Sequence, residues 1–178
     1  MNDGLIDGFR YNTWATRELL AVARTLTDEQ LNATAVGAYG SIIDTLRHIV
    51  QGEAWDCARL TGEQLSWDIR AEDDDADLDE LSRRVDELEE RWERFLGTPF
   101  DAERTFVIPW HDGGARDVPA GIFLIGALHH GIEHRSQICT ILTSLGIDPP
   151  DYGADMGPLD YAEVTNRAPR YRDADEQS

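Results

Sequence analysis

PAGIFLIGALHHGIEHRSQICTILTSLG, residues 119–146, carries the pattern that decides this chain's fold. It opens on proline, favoured at the first helical position, closes on glycine, and holds no proline between. Steps of three and four residues put Phe123, Ala127, His130, His134, Ile138, Ile141 and Leu145 on one stripe. The segment therefore predicts a long helix with two imidazoles one turn apart among apolar residues. Side chains at i and i+4 point the same way and can converge on one ion. A buried imidazole that leaves a nitrogen unpaired costs about 1–3 kcal/mol. Hydrogen-bonding neighbours can meet that need, or a metal can take one nitrogen of each ring and leave the other to an acceptor behind it.

Outward from this helix, three more long helical patterns emerge. The first covers residues 3–26, with Leu5, Ile6, Phe9, Thr13, Thr16, Leu20 and Ala23 on its inner face. A short capped segment follows, Thr27 pairing with Gln30 as a capping box. The second long helix starts after Gly40 with Ser41 as cap and Asp44 at the third position, and Gly62 stops it. Its stripe is Ile42, Leu46, Ile49, Cys57 and Leu60, and His48 lies beside that stripe. Residues 63–77 read as a long acidic connection. The third long helix, 77–96, repeats Leu78, Leu81, Val85, Leu88, Trp92 and Phe95 every three or four residues with charge elsewhere. Residues 100–118 predict a short hairpin or extended crossover, since TFVIPW is strand-like and HDGGA is turn-like. The fold class is all-α, a four-helix bundle with a long crossover and a short extended segment. Residues 1–165 form one domain; 148–165 are expected to pack irregularly, and the charged tail 166–178 to be disordered.

Composition narrows the function. The net charge is −19, and all 16 basic residues are arginine. Such a surface repels phosphate backbones and anionic lipids, so neither nucleic acid nor membrane is an expected partner. No apolar run reaches the roughly 20 residues of a membrane helix, and the N-terminus lacks a basic-then-apolar leader. A cytoplasmic protein is the expectation. Cys57 and Cys139 fall in helical apolar patterns and read as buried free thiols.

His48, His130 and His134 together would form a three-histidine metal site with an open position, the ligand set of a catalytic or substrate-binding ion. Gly52, one turn beyond His48, leaves room beside an imidazole, and Asp44, one turn before, is placed to orient it. His129 points about 100° from His130 and reads as peripheral. No general base is evident; Asp44, Glu53, Glu133 and His111 are candidates by proximity alone. Arg135 is placed either to bind a substrate carboxylate or to make a structural ion pair. Trp14, Trp55, Trp110 and Tyr152 are candidates for the site mouth or the core. His130-Gly-Ile-Glu-His134 also matches the inverted zinc-protease pattern H-x-x-E-H, with Glu133 as base. That class needs a third ligand downstream, where only Glu163 and Glu176 remain.

Over nearly its whole length the chain resembles the DinB-like metal-dependent bundle proteins. The matching pieces are Tyr11-Asn12-Thr13-Trp14; Thr45-Leu46-Arg47-His48-Ile49-Val50 with Glu53-Ala54-Trp55; and Pro119 to Leu124 followed by His130, His134, Arg135 and Gln137. Ser136 departs from the glycine common there. The resemblance implies an up-up-down-down helical bundle, often a homodimer. It also implies a divalent ion on His48, His130 and His134; three imidazoles accept Zn, Ni, Co, Fe or Mn alike. Some members resemble thiol transferases or thiol-dependent isomerases, so the resemblance implies a small-molecule substrate and a low-molecular-weight thiol cosubstrate. A non-catalytic bundle that binds metal or a small ligand is the alternative.

Overall fold

The computed structural model describes residues 3–69, 75–109, 112–150 and 157–167. It is mostly helical: α1 (Asp3–Ala23), α2 (Asp28–Leu31), α3 (Ile42–Thr61), α4 (Leu78–Leu96), α5 (Ala120–Ser144) and α6 (Gly157–Val164), with strands β1 (Thr105–Pro109) and β2 (Ala115–Pro119). The start signals act as read. Thr27 and Gln30 make a reciprocal capping box on α2, and the Ser41 hydroxyl accepts from the Asp44 N–H. Gly62 ends α3 with φ 74°; the Asp77 carboxylate, not singled out from the sequence, caps α4. Pro119 is the cap of α5 rather than its first helical residue, because its extended backbone still belongs to β2.

The hairpin between α4 and α5 is antiparallel, with Phe106 opposite Val118 and Ile108 opposite Arg116. Residues 157–164, expected to be irregular, form α6, which packs Tyr161 against Tyr11 and Trp14 of α1. Most of the tail expected to be disordered, residues 168–178, lies outside the described residues.

Four long helices pack around one core, α3 against α4 and α5, and α1 against α4 and α5. The inner face of α4 carries Leu81, Val85, Leu88, Trp92 and Leu96, each at most 5% exposed. Helix directions follow from which residues meet. Arg10, Arg17 and Arg24 of α1 pair with Glu93, Asp86 and Asp79 of α4, so those two run antiparallel. Asn12 and Thr16 of α1 meet Arg135 of α5 while Gly8 meets Leu128, so those two run parallel. Gly52 meets His130 and Arg59 meets Phe123, which sets α3 antiparallel to α5. The order is therefore up-down-down-up, not the up-up-down-down order that the family resemblance implies. The acidic connection after Gly62 causes it: the chain returns along α3, so α4 restarts near the start of α3, where Arg47 donates to the Ala76 carbonyl. Among the described residues, no helix is long and apolar enough to cross a membrane.

Candidate metal centre

The buried stripe of α5 runs through Leu124, Ala127, Gly131, Arg135, Ile138 and Leu142. His130 and His134 lie beside it, half-buried, rather than in its middle as the periodicity suggested. Arg135 takes the core position. Its guanidinium, 3% exposed, donates to Asn12 Oδ1 (2.7 Å) and Thr16 Oγ1 (3.2 Å). Asn12 in turn donates from Nδ2 to Glu53 (2.9 Å), whose other oxygen accepts from Trp92 Nε1 (2.9 Å). Arg135 and Glu53 are thus committed to a buried network across α1, α3, α4 and α5. Burial raises the Glu53 carboxyl above the ordinary range, against Arg135, Trp92 and Asn12, which lower it.

Pushed to the edge of the core, the two imidazoles of α5 face His48 on α3. One ring nitrogen from each of His48, His130 and His134 lies within 4.8 Å of the others. The Nε2 atoms of His48 and His130 are 3.1 Å apart. Two nitrogens bound at ordinary Zn–N lengths in a tetrahedral site sit about 3.3 Å apart, so these rings fit a shared ion. Burial, helped by His134 and His48, lowers His130 to about 4, and burial lowers His48 as well. His130 is therefore neutral near pH 7, the form that ligates metal.

The surrounding side chains hold this arrangement. Gln137 Oε1 lies 3.0 Å from His134 Nδ1 and accepts the Tyr39 N–H at 2.9 Å. With Nδ1 donating to Gln137, the His134 lone pair sits on Nε2. Tyr39 stacks on the His48 ring, centroids 3.9 Å apart and planes 10° apart, and meets His134 edge-on. A Cβ at Gly52 would lie 3.0 Å from His130 Nδ1 and Nε2. Gly52 therefore makes room for the imidazole facing it from α5, not for His48 on its own helix.

The structure brings together all three candidate ligands and, among the described residues, none of the candidate bases Asp44, Glu53 and Glu133. The Asp44 carboxylate belongs to the helix cap, accepting from Ser41 Oγ (2.6 Å), with Arg47 3.5 Å away. Glu133 is exposed and faces His129, 3.6 Å away on the outer side, which removes the H-x-x-E-H pattern as a protease site. Cys57 is buried, its thiol pushed up to about 12 by burial, and it is not part of the histidine cluster. Trp14 packs against Tyr11 and Tyr161, and Trp55 is 37% exposed on α3. His111, Trp110 and Tyr152 lie outside the described residues. Sequence reasoning missed the site roles of Tyr39 and Gln137. Gln137, three residues after His134 on the same helix, was findable by spacing; Tyr39, in a loop, had no periodic signal.

This mostly helical fold with a three-histidine cluster defines a class. Residues 1–160 match the DinB family, and the chain belongs to it. A DinB-like protein from Bacillus cereus has a similar fold, with TM-score 0.63 and 20% identity, covering 84% of this chain and 95% of that one. No curated protein matches the chain in sequence.

Proposed function

We propose that this chain uses a four-helix-bundle scaffold to hold one divalent ion on His48, His130 and His134, and that the ion's open side activates a low-molecular-weight thiol for transfer or hydrolysis. The observation that carries the metal is the convergence of three ring nitrogens within 4.8 Å, joined by no carboxylate or thiolate among the described residues. An all-imidazole set leaves the ion its full positive charge. Bound there, it would lower the pKa of a thiol or water and supply a nucleophile at neutral pH.

The chain's own residues prepare the site. Gln137 sets the tautomer of His134, Tyr39 buttresses His48, and Gly52 admits His130. In a transfer to an aryl chloride, the thiol proton goes to solvent, sulfur forms the new C–S bond, and chloride leaves with the C–Cl electron pair. A homodimer, as the family resemblance implies, and a cytoplasmic setting, as the composition suggests, belong to this proposal; light scattering after size exclusion checks the dimer.

The deciding experiment is elemental analysis of protein purified without a histidine tag, beside His48→Ala, His130→Ala and His134→Ala. About one divalent ion per chain, lost in each variant with helicity kept, is the expected result. Metal retained in a variant, or none after reconstitution, overturns the site. Loaded protein is then offered a thiol with an aryl chloride. Turnover supports the transferase; tight metal binding without turnover points to the metal-binding bundle instead.

A further inference from the structure

Arg59 and Arg104 stand apart from the other described arginines. The chain has 35 acids to 16 arginines, and the others pair with carboxylates, as Arg10 with Glu93 and Arg91 with Glu63 and Glu87, or with Asn12 and Thr16 in the case of Arg135. Arg59 and Arg104 have no carboxylate within ion-pair reach among the described residues. Asp56, a turn earlier on α3, feels the charge of Arg59 without pairing to it. Each of the two stacks on a phenylalanine instead: Arg59 Cζ is 5.1 Å from the Phe123 ring centre and Arg104 Cζ is 4.9 Å from that of Phe106. The two rings meet edge to face at 5.7 Å. Arg59, Phe123, Phe106 and Arg104 therefore form one row joining α3, α5 and the hairpin.

This row lies on the same helix pair as the histidines. Gly52 faces His130, and Arg59 faces Phe123; each partner is seven residues, or about 10 Å of helical rise, along from the metal centre. Arg59 also borders a cavity of about 620 Å³ on the far side of α3, walled by Trp55 and Trp67 and carrying Glu63 and Asp68, so the anion is placed on the phenylalanine side of Arg59 and not in that cavity. A guanidinium lying over a ring face spends none of its N–H donors on the ring and keeps them for a carboxylate. Two such groups in a molecule of charge −19 mark the place where an anion is drawn in rather than repelled.

We propose that this row is an anion subsite, binding the carboxylate of a small molecule whose other end reaches the three histidines. Only the far end of that ligand rests on the metal reading above. The site takes a carboxylate about 10 Å from the metal-seeking atom, with a spacer running along the α3–α5 pair.

The arginines are tested first without metal. Octanoate is titrated into metal-free protein while the arginine Nε–H resonances are followed by NMR, with octanol as the neutral control. Saturable shifts of Arg59 and Arg104 with octanoate alone support the subsite. Absent shifts, or equal shifts with octanol, overturn it. The second arm loads cobalt and compares ω-mercaptooctanoate, whose extended chain matches the span, with ω-mercaptooctanol through the thiolate-to-cobalt absorption. The acid is expected to bind about tenfold more tightly, the difference one well-placed charged contact makes. That preference should vanish in the double variant Arg59→Gln/Arg104→Gln and partly return in Arg59→Lys/Arg104→Lys, which keeps the charge. An undiminished preference in the glutamine variant overturns the subsite. An octanoate response without cobalt uptake overturns the metal reading while supporting the anion site.

Discussion

At the scale of single residues, two small features control the metal centre. Gly52→Ala places a methyl group against the His130 ring, and the imidazole must move off the ligand position. Metal affinity measured by titration calorimetry should fall at least about tenfold, with helicity by circular dichroism unchanged, since alanine favours the helix. Gln137→Ala removes the acceptor for His134 and the anchor for Tyr39 together. A loss of about 10–100-fold in cobalt affinity is expected, and an unaltered affinity would show that Gln137 leaves the tautomer unset. His130 also gives the metal-free protein a pH signature. Its folded value, about 4, lies below the ordinary 6.5, so the unfolded chain binds more protons between them. Stability therefore falls as pH drops from 6.5 towards 4, and that share of the slope should be missing in His130→Ala, read from urea midpoints across the window.

At the scale of elements, the buried position of Arg135 decides which way α5 faces. With Gly131 and Arg135 turned inward, the histidines one residue earlier are turned towards α3. Gly131 belongs to the same arrangement, for a Cβ there would collide with Asn12 and Arg135. Arg135→Met leaves Glu53 buried with its cation gone, at a cost of about 3–5 kcal/mol by urea unfolding. In the added background of Glu53→Gln much of that loss should be recovered, because the stranded charge goes with it. If the single variant loses no stability, the network does not anchor the helices. The cap and end of α3 were legible because the cap rests on a side chain a few residues from its partner, Ser41 with Asp44, and the end on Gly62. Helix order was not legible in the same way. It depends on how residues 62–77 travel, and an acidic connection constrains its own path weakly.

At the scale of the whole molecule, charge sets the balance. Ion pairs tie α1 to α4 at Arg10, Arg17 and Arg24, yet their side chains are at least 40% exposed, and such pairs contribute about 0–1 kcal/mol each. Against them stands the mutual repulsion in a chain of net charge −19. Salt screens both, and the repulsion is the larger sum. The melting temperature should therefore rise from low to moderate salt; a fall would mean that the surface pairs outweigh the net charge.

The sequence by itself determined the four long helices, the caps at Thr27 and Ser41, an extended segment before the last long helix and the three histidines, because these depend on spacing within one segment and on side chains that meet a few residues away. Only the tertiary structure decided the helix order, the commitment of Glu53 and Arg135 to the core, the role of Gly52 across the helix interface, and the row of Arg59 and Arg104 on their phenylalanines. Each of those depends on which residue arrives opposite from a distant segment. Periodicity within one helix gives the direction of a side chain but not what it meets.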